Sequence, residues 1–204
     1  GGPVAPRARA RGAHRRPRRR SREHRRAARV VLSEQPITWE SDGPEATAAL
    51  GAALARMLRP GDLVLLRGDL GAGKTTLVRA IARGLGVQGP ITSPTFTVAQ
   101  RYRGDVEVAH VDAYRLGGPD DEEAELLRAA VGDDAIAFVE WPDAILAALP
   151  EPRLELELQH RGGDRRLVLL TPRGTDARSD LRRQLADLRA RPLNGESEPG
   201  PRPG

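Results

Sequence analysis

Cysteine is absent from the 204 residues, which excludes disulfides, zinc–cysteine sites, iron–sulfur clusters and thiol catalysis. Lysine is almost absent as well: of 33 basic residues only Lys74 is a lysine. Aromatic residues are scarce, at two each of Trp, Tyr and Phe. No apolar run approaches the roughly 20 residues of a membrane span. The arginine-rich beginning carries no apolar stretch of the kind a secretory signal needs. A cytoplasmic protein with no membrane partner is therefore the expectation.

What is present is unevenly placed. Residues 1–29 hold twelve of the 33 basic residues and one of the 28 acids, Glu23, leaving 21 basic against 27 acidic residues in the remainder. The overall charge of +5 thus describes a basic tail on a mildly acidic body. Such a body is poorly suited to hold nucleic acid by its own field. The tail has no apolar periodicity and is expected to be disordered. Three readings compete for it: a nucleic-acid-binding arm and an extension ahead of the native start, which weigh about equally, and a mitochondrial-type presequence.

From Val30 onward the pattern is that of a folded domain. Ile37-Thr38-Trp39 reads as a short edge strand, and Ser41 or Asp42 as the cap of a helix from Pro44 to Leu58. Leu63-Val64-Leu65-Leu66 is a continuous apolar run, as a buried parallel strand requires. A helix is expected from Lys74 to Leu85, stopped by Gly86. Strands are expected over 95–103 and 106–111, then a helix over 120–130. A buried strand over 135–139 precedes a helix from Trp141-Pro142 to Leu149. Two alternating strands, 154–159 and 167–170, flank a Gly162-Gly163 turn. A last helix over 176–189 precedes a Pro/Gly-rich tail. The sum is a three-layer α/β domain with a hairpin-containing edge.

The chemistry centres on Gly68-Asp69-Leu70-Gly71-Ala72-Gly73-Lys74-Thr75. This matches the phosphate-binding pattern G-x-x-x-x-G-K-T in full, between an apolar strand and an amphipathic helix. Glycines allow backbone N–H groups to converge on phosphate oxygens, reinforced by the positive end of the helix dipole. Lys74 suits the β/γ oxygens and the Thr75 hydroxyl suits Mg²⁺. Arginine stands wherever a generic positive charge serves, and lysine remains where a slender ammonium must enter a tight loop. A guanine-selective Asn-Lys-x-Asp loop needs a second lysine, so adenine is the expected base. Magnesium also needs a carboxylate. Asp112, ending Val108-Ala109-His110-Val111-Asp112, and Glu140, ending Ala135-Ile136-Ala137-Phe138-Val139-Glu140, both close apolar strands. The aromatics Phe96, Tyr102, Tyr114 and Trp141 also lie in or beside these segments. His110 reads as a structural, hydrogen-bonding histidine.

Four motifs in order, Gly68–Thr76, Ser93-Pro94-Thr95-Phe96, His110–Leu116 and Val139-Glu140-Trp141-Pro142, together resemble the bacterial TsaE family over residues 36–170. The resemblance implies a P-loop ATPase of tRNA threonylcarbamoyladenosine biosynthesis, acting with TsaB and TsaD and meeting tRNA only through that complex. It implies a P-loop NTPase fold over 30–172, three-layered with a mostly parallel central sheet and a C-terminal β-hairpin. A C-terminal helix and disordered tail would occupy 173–204. It further implies ATP held by Asp69, Leu70, Gly71, Ala72, Gly73, Lys74, Thr75 and Thr76, with Trp141 and Arg165 near the nucleotide. Mg²⁺ would be held by Thr75 and Glu140, and Asp112 with Lys74 would act in catalysis. Ser93–Phe96 would form a switch-like loop near the γ-phosphate. Ala113 stands where the family commonly has a bulkier apolar residue. Two other readings remain at this stage: a small-molecule kinase on the same scaffold, and an RNA-binding accessory protein working through its arginine tail.

Overall fold

The computed structural model describes residues 1–2, 35–94, 99–114, 129–151, 153–174 and 179–190. The chain divides between Ser33 and Glu34, and everything below concerns the part from Gln35 onward. The expected tails, the Thr95–Phe96 half of the switch-like loop and most of the 120–130 helix lie outside the described residues. Of that helix, Ala129 and Ala130 are described and are helical.

Seven strands form one mixed sheet: β1 (Ile37–Ser41), β2 (Leu63–Arg67), β3 (Ala99–Arg103), β4 (Glu107–Asp112), β5 (Ala135–Glu140), β6 (Arg153–His160) and β7 (Arg166–Arg173). Their order across the sheet is β1-β7-β6-β2-β5-β4-β3. The four central strands, β6, β2, β5 and β4, run parallel, while β1, β7 and β3 join through antiparallel pairs. The architecture is thus α/β, parallel at its centre and antiparallel at both margins. Composition explains the placement. β2 is apolar at Leu63 to Leu66 and every residue of β5 is buried, so each must have both faces covered. β6 alternates buried Leu154, Leu156 and Leu158 with polar residues, which suits a strand with one wetter face.

Alternation sends Val64, Leu66, Ile136 and Phe138 to one face and Leu63, Leu65, Ala137 and Val139 to the other. The first face packs under α1 (Pro44–Ala55), α2 (Lys74–Gly84) and α3 (Ser179–Ala190). Leu181, Leu185 and Leu188 of α3 belong to this core, so the C-terminal helix is part of the folded body. The second face packs against Ala130, Ile145 and Leu149.

Three local expectations change. α1 starts from Gly43 with no side-chain cap. Ser41 Oγ instead donates to Gly43 O at 2.9 Å and sits 2.7 Å from Thr47 Oγ1. α1 ends at Ala55, short of the expected Leu58. The segment after Trp141 is a 3₁₀ helix, Pro142–Ala148, in place of the expected α-helix. It belongs to a crossover from β5 to β6 that must pass over β2, and 3₁₀ geometry rises about 2.0 Å per residue against 1.5 Å for α.

α1 and α2 cross at small residues. A Cβ on Gly51 would lie 2.8 Å from the Ala80 carbonyl carbon, and one on Gly84 would lie 2.6 Å from Ala55 Cβ. Gly51→Val is therefore expected to destabilise the fold by about 1–3 kcal/mol, read as a lowered midpoint in urea unfolding. An unchanged midpoint would mean the helices can separate at no cost.

Candidate functional site

The loop Gly68–Gly73 joins the end of β2 to the start of α2. Three of its glycines take left-handed backbone angles: Gly68 at φ 133°, Gly71 at 77° and Gly73 at 104°. Gly73 caps α2 with no side-chain partner, so the first N–H groups of that helix receive no capping side chain. Gly68 has a further reason to be glycine, because any Cβ there would collide with Leu158 O of β6.

Lys74 is buried, 5% exposed, and its ammonium turns back onto the loop. Nζ donates to Gly68 O at 2.7 Å and to Asp69 O at 2.9 Å, and lies 3.6 Å from the centre of the Trp141 ring. Burial pulls the Lys74 ammonium below its ordinary value, while Glu140, Asp112 and Asp69 partly offset this by favouring the charge.

The two carboxylates arrive from neighbouring parallel strands. Asp112 of β4 and Glu140 of β5 are register partners, and Glu140 also pairs in register with Leu66 at the end of β2. Thr75 Oγ1 donates to Glu140 Oε1 at 2.8 Å, with Oε2 at 3.1 Å. His110 Nε2 lies 2.9 Å from the same Oε1. Asp112 Oδ2 accepts from Ser93 Oγ at 2.8 Å, and its Oδ1 accepts from the Tyr114 N–H at 3.1 Å. Two like charges on adjacent strand ends repel, so this pair is suited to a cation between loop and sheet. Thr75 and Glu140 offer hard oxygen donors, the chemistry Mg²⁺ takes. Among the described residues no group of three or more His, Cys, Asp or Glu forms an all-protein metal cage.

Trp141 is the only non-glycine among the described residues with positive φ, at 56° and ψ 51°. A bulky residue in that region, directly before proline, carries strain of about 1–3 kcal/mol. The turn is held by its surroundings: Trp141 N–H donates to Leu66 O at 3.1 Å and Ala113 N–H to Glu140 O at 2.9 Å. Tyr114, 63% exposed, tilts against the indole at 5.1 Å between ring centres.

These groups surround a cleft of about 420 Å³. Of the residues expected to act there, Leu70, Gly71, Gly73, Lys74, Thr75, Thr76, Ser93, Asp112, Glu140 and Trp141 line it, together with Tyr114. Asp69 contributes its carbonyl to Lys74, and Ala72 is buried behind the loop. Arg165 does not line the cleft. It is exposed at the β6–β7 turn, donating to Arg161 O at 3.5 Å. Its neighbour Arg166 is the arginine beside the loop, with Nε 3.7 Å from where a Cβ on Gly73 would stand. The turn explains the shift, since the strand pairing that begins at Arg166 fixes which side chain faces α2. Sequence reading gave no site role to His110. Its signal was available: on a strand, residue 110 shares a face with residue 112.

Comparison with known proteins agrees with this arrangement. Residues 41–168 match the family model described as threonylcarbamoyl adenosine biosynthesis protein TsaE. The chain is 48% identical over 118 residues to the tRNA threonylcarbamoyladenosine biosynthesis protein TsaE of Streptomyces coelicolor, spanning 56% of this chain and 80% of that one. It is 36% identical over 140 residues to the Bacillus subtilis protein of the same name, spanning 68% and 87%. Its structure resembles the crystal structure of Bacillus subtilis YdiB, with a TM-score of 0.61, 30% identity, and coverage of 76% of this chain and 95% of that one. With the matched stretch taking in the glycine loop and both carboxylates, the chain belongs to the TsaE family.

Proposed function

We propose that this chain is a Mg²⁺-dependent ATP hydrolase required for threonylcarbamoylation of the adenosine beside the anticodon, in tRNAs that read codons beginning with A. It would work in the cytoplasm, coupled to TsaB and TsaD, and reach tRNA only through them. The observation that carries the reading is the meeting of Lys74 and Thr75 with Asp112 and Glu140 in one cleft. A P-loop cradle and carboxylates at strand ends are the parts phosphoryl transfer to water needs.

In this reading the N–H groups of the Gly68–Gly73 loop and of Lys74 to Thr76 face phosphate oxygens. Lys74 exchanges two loop carbonyls for those oxygens, and the carboxylates of Glu140, Asp112 and Asp69 favour its charge against the burial that opposes it. Thr75 and Glu140 would hold Mg²⁺, which supplies charge neutralisation at the phosphates when bound. Asp112 orients the attacking water and accepts its proton. Ser93 and the Tyr114 N–H fix both of its oxygens, so the carboxylate is preorganised. Trp141 flanks the nucleotide, and Arg166 is better placed than Arg165 to approach it.

Calorimetry with a non-hydrolysable ATP analogue, with and without Mg²⁺, tests the division of labour. Glu140→Ala is expected to lose most of the Mg²⁺ enhancement of binding, by roughly 10-fold or more. Asp112→Ala is expected to bind nearly as wild type while its turnover falls by about 10²–10⁴-fold. Turnover is measured alone and then with TsaB, TsaD and tRNA. Unchanged metal dependence in Glu140→Ala would remove that residue from the metal site. ATP consumption that needs a small hydroxylated acceptor and ignores the partner proteins would instead establish a kinase.

A further inference from the structure

Glu140 is 3% exposed and must present an ionised carboxylate at one defined angle if it is to share a cation with Thr75. The last torsion of a glutamate is broad and roughly two-fold, so covalent geometry alone does not choose which oxygen points where. Something adjacent must choose. Thr75 Oγ1 reaches both oxygens, at 2.8 and 3.1 Å, and discriminates little between them. His110 reaches only Oε1, at 2.9 Å, from a wholly buried position.

The direction of that hydrogen bond follows from its partner. An ionised carboxylate only accepts, so Nε2 carries the proton and donates. Nδ1 is buried and has no partner among the described residues. The ring is therefore a one-sided donor aimed at Glu140. A histidine that merely filled space in the core would gain nothing from this orientation over leucine.

Strand geometry accounts for the reach. His110 and Asp112 lie on the same face of β4, and Asp112 is the register partner of Glu140 on β5. One strand thus delivers both the carboxylate beside Glu140 and the donor that orients it.

We propose that His110 is a positioning residue: its Nε2–H occupies Oε1 of Glu140 and so turns Oε2, which meets the longer 3.1 Å Thr75 contact, towards the cation at Thr75. The inference rests on the Mg²⁺–nucleotide reading above and goes beyond it by assigning a supporting shell to the metal carboxylate. Supporting donors of this kind typically change metal affinity by about 10–100-fold when removed.

The test uses the full chain and reads binding, with no activity measurement. An ATP analogue at fixed concentration is titrated with Mg²⁺ by calorimetry, for wild type, His110→Leu, His110→Gln and His110→Asn. His110→Leu is expected to need about 10–100-fold more Mg²⁺ for half-maximal enhancement, with metal-free analogue binding unchanged. His110→Gln, whose amide reaches as far as Nε2, is expected to restore most of the loss. His110→Asn, one carbon shorter, is expected not to. Should His110→Leu fail to fold, the Gln and Asn pair alone decides. Equal Mg²⁺ requirement in Gln and Asn, or a wild-type requirement in Leu, overturns the proposal. Absence of any Mg²⁺ enhancement in the wild-type chain would overturn the nucleotide reading itself, and this assignment with it.

Discussion

Lys74→Ala is expected to weaken binding of an ATP analogue by about 100-fold or more, and to abolish support of the tRNA modification in cells lacking the native protein. The size follows from replacing charge-assisted contacts in a buried site with none, at about 1.4 kcal/mol per tenfold. Lys74→Arg is expected to fare little better. A planar guanidinium cannot occupy the space in which Nζ now contacts Gly68 O, Asp69 O and the Trp141 face together. Deleting residues 1–29 is expected to leave the modification intact. A truncated chain that fails while Lys74→Ala succeeds would transfer the function to the basic tail.

Lys74 also makes a prediction about stability with an opposite sign. Its pKa in the folded chain is lowered, with burial the chief cause, so folding at neutral pH carries the cost of a desolvated ammonium. Below the lowered folded value both folded and unfolded chains are protonated, and the cost is present in full. It falls as pH rises through the lowered folded value, and is gone above the ordinary value of 10.5. Lys74→Met, which keeps the volume and removes the charge, is expected to unfold at a temperature equal to or above wild type at pH 7. That margin should shrink towards pH 10.5. Loss of binding together with retained stability identifies a functional lysine; a large drop in unfolding temperature would make it structural.

Gly68→Ala is the second large effect. At φ 133° a side chain is strained, and the added Cβ would collide with Leu158 O, while lying 3.2 Å from Leu158 C and 3.3 Å from Ala72 Cβ. The obstacle cannot move aside cheaply. β6 is paired on both edges, with Arg67 against Glu157 on one side and Leu158 against Val168 on the other. Strain and overpacking together predict a loss of about 2–5 kcal/mol. For a chain of this size that is a fall of roughly 5–15 °C in Tm. Gly71→Ala is the matched control, because it shares the positive φ but meets nothing within 4 Å. Its expected cost is about 1–2 kcal/mol from backbone strain alone. Equal thermal shifts in the two variants would show that the approach of β6 to the loop does not constrain Gly68.

The parts of the site legible from residues alone share one property: their geometry is local. Gly68 to Thr75 is one contiguous loop, and its glycines, lysine and threonine stand in the order that such a loop demands. Asp112 and Glu140 each end an apolar run, and apolar runs of that length are strands whose ends must emerge somewhere. The central strand Leu63–Arg67, the helix behind the loop and the β6–β7 hairpin were legible for the same reason, since period and turn residues act over a few positions. Where local rules competed with connection length they failed. Pro142–Ala148 has an acceptable helical composition, yet it is a 3₁₀ helix within the crossover that passes over β2.

What only the tertiary structure decided is which distant groups meet. Residue numbers do not reveal that β4 and β5 lie side by side with Asp112 opposite Glu140, or that 65 residues of separation close to 2.8 Å between Thr75 and Glu140. Strand order is set by which faces must be buried together, a property of the whole core. The same holds for Ser93 on Asp112, for Arg166 in place of Arg165 beside the loop, and for the left-handed turn that lays Trp141 over Lys74. His110 shows the division most plainly. Sequence placed it two residues before a carboxylate on a buried strand; the sheet supplied its partner, Glu140, on the next strand. Local sequence determines which chemical groups are present and on which face, and long-range packing determines what each group touches.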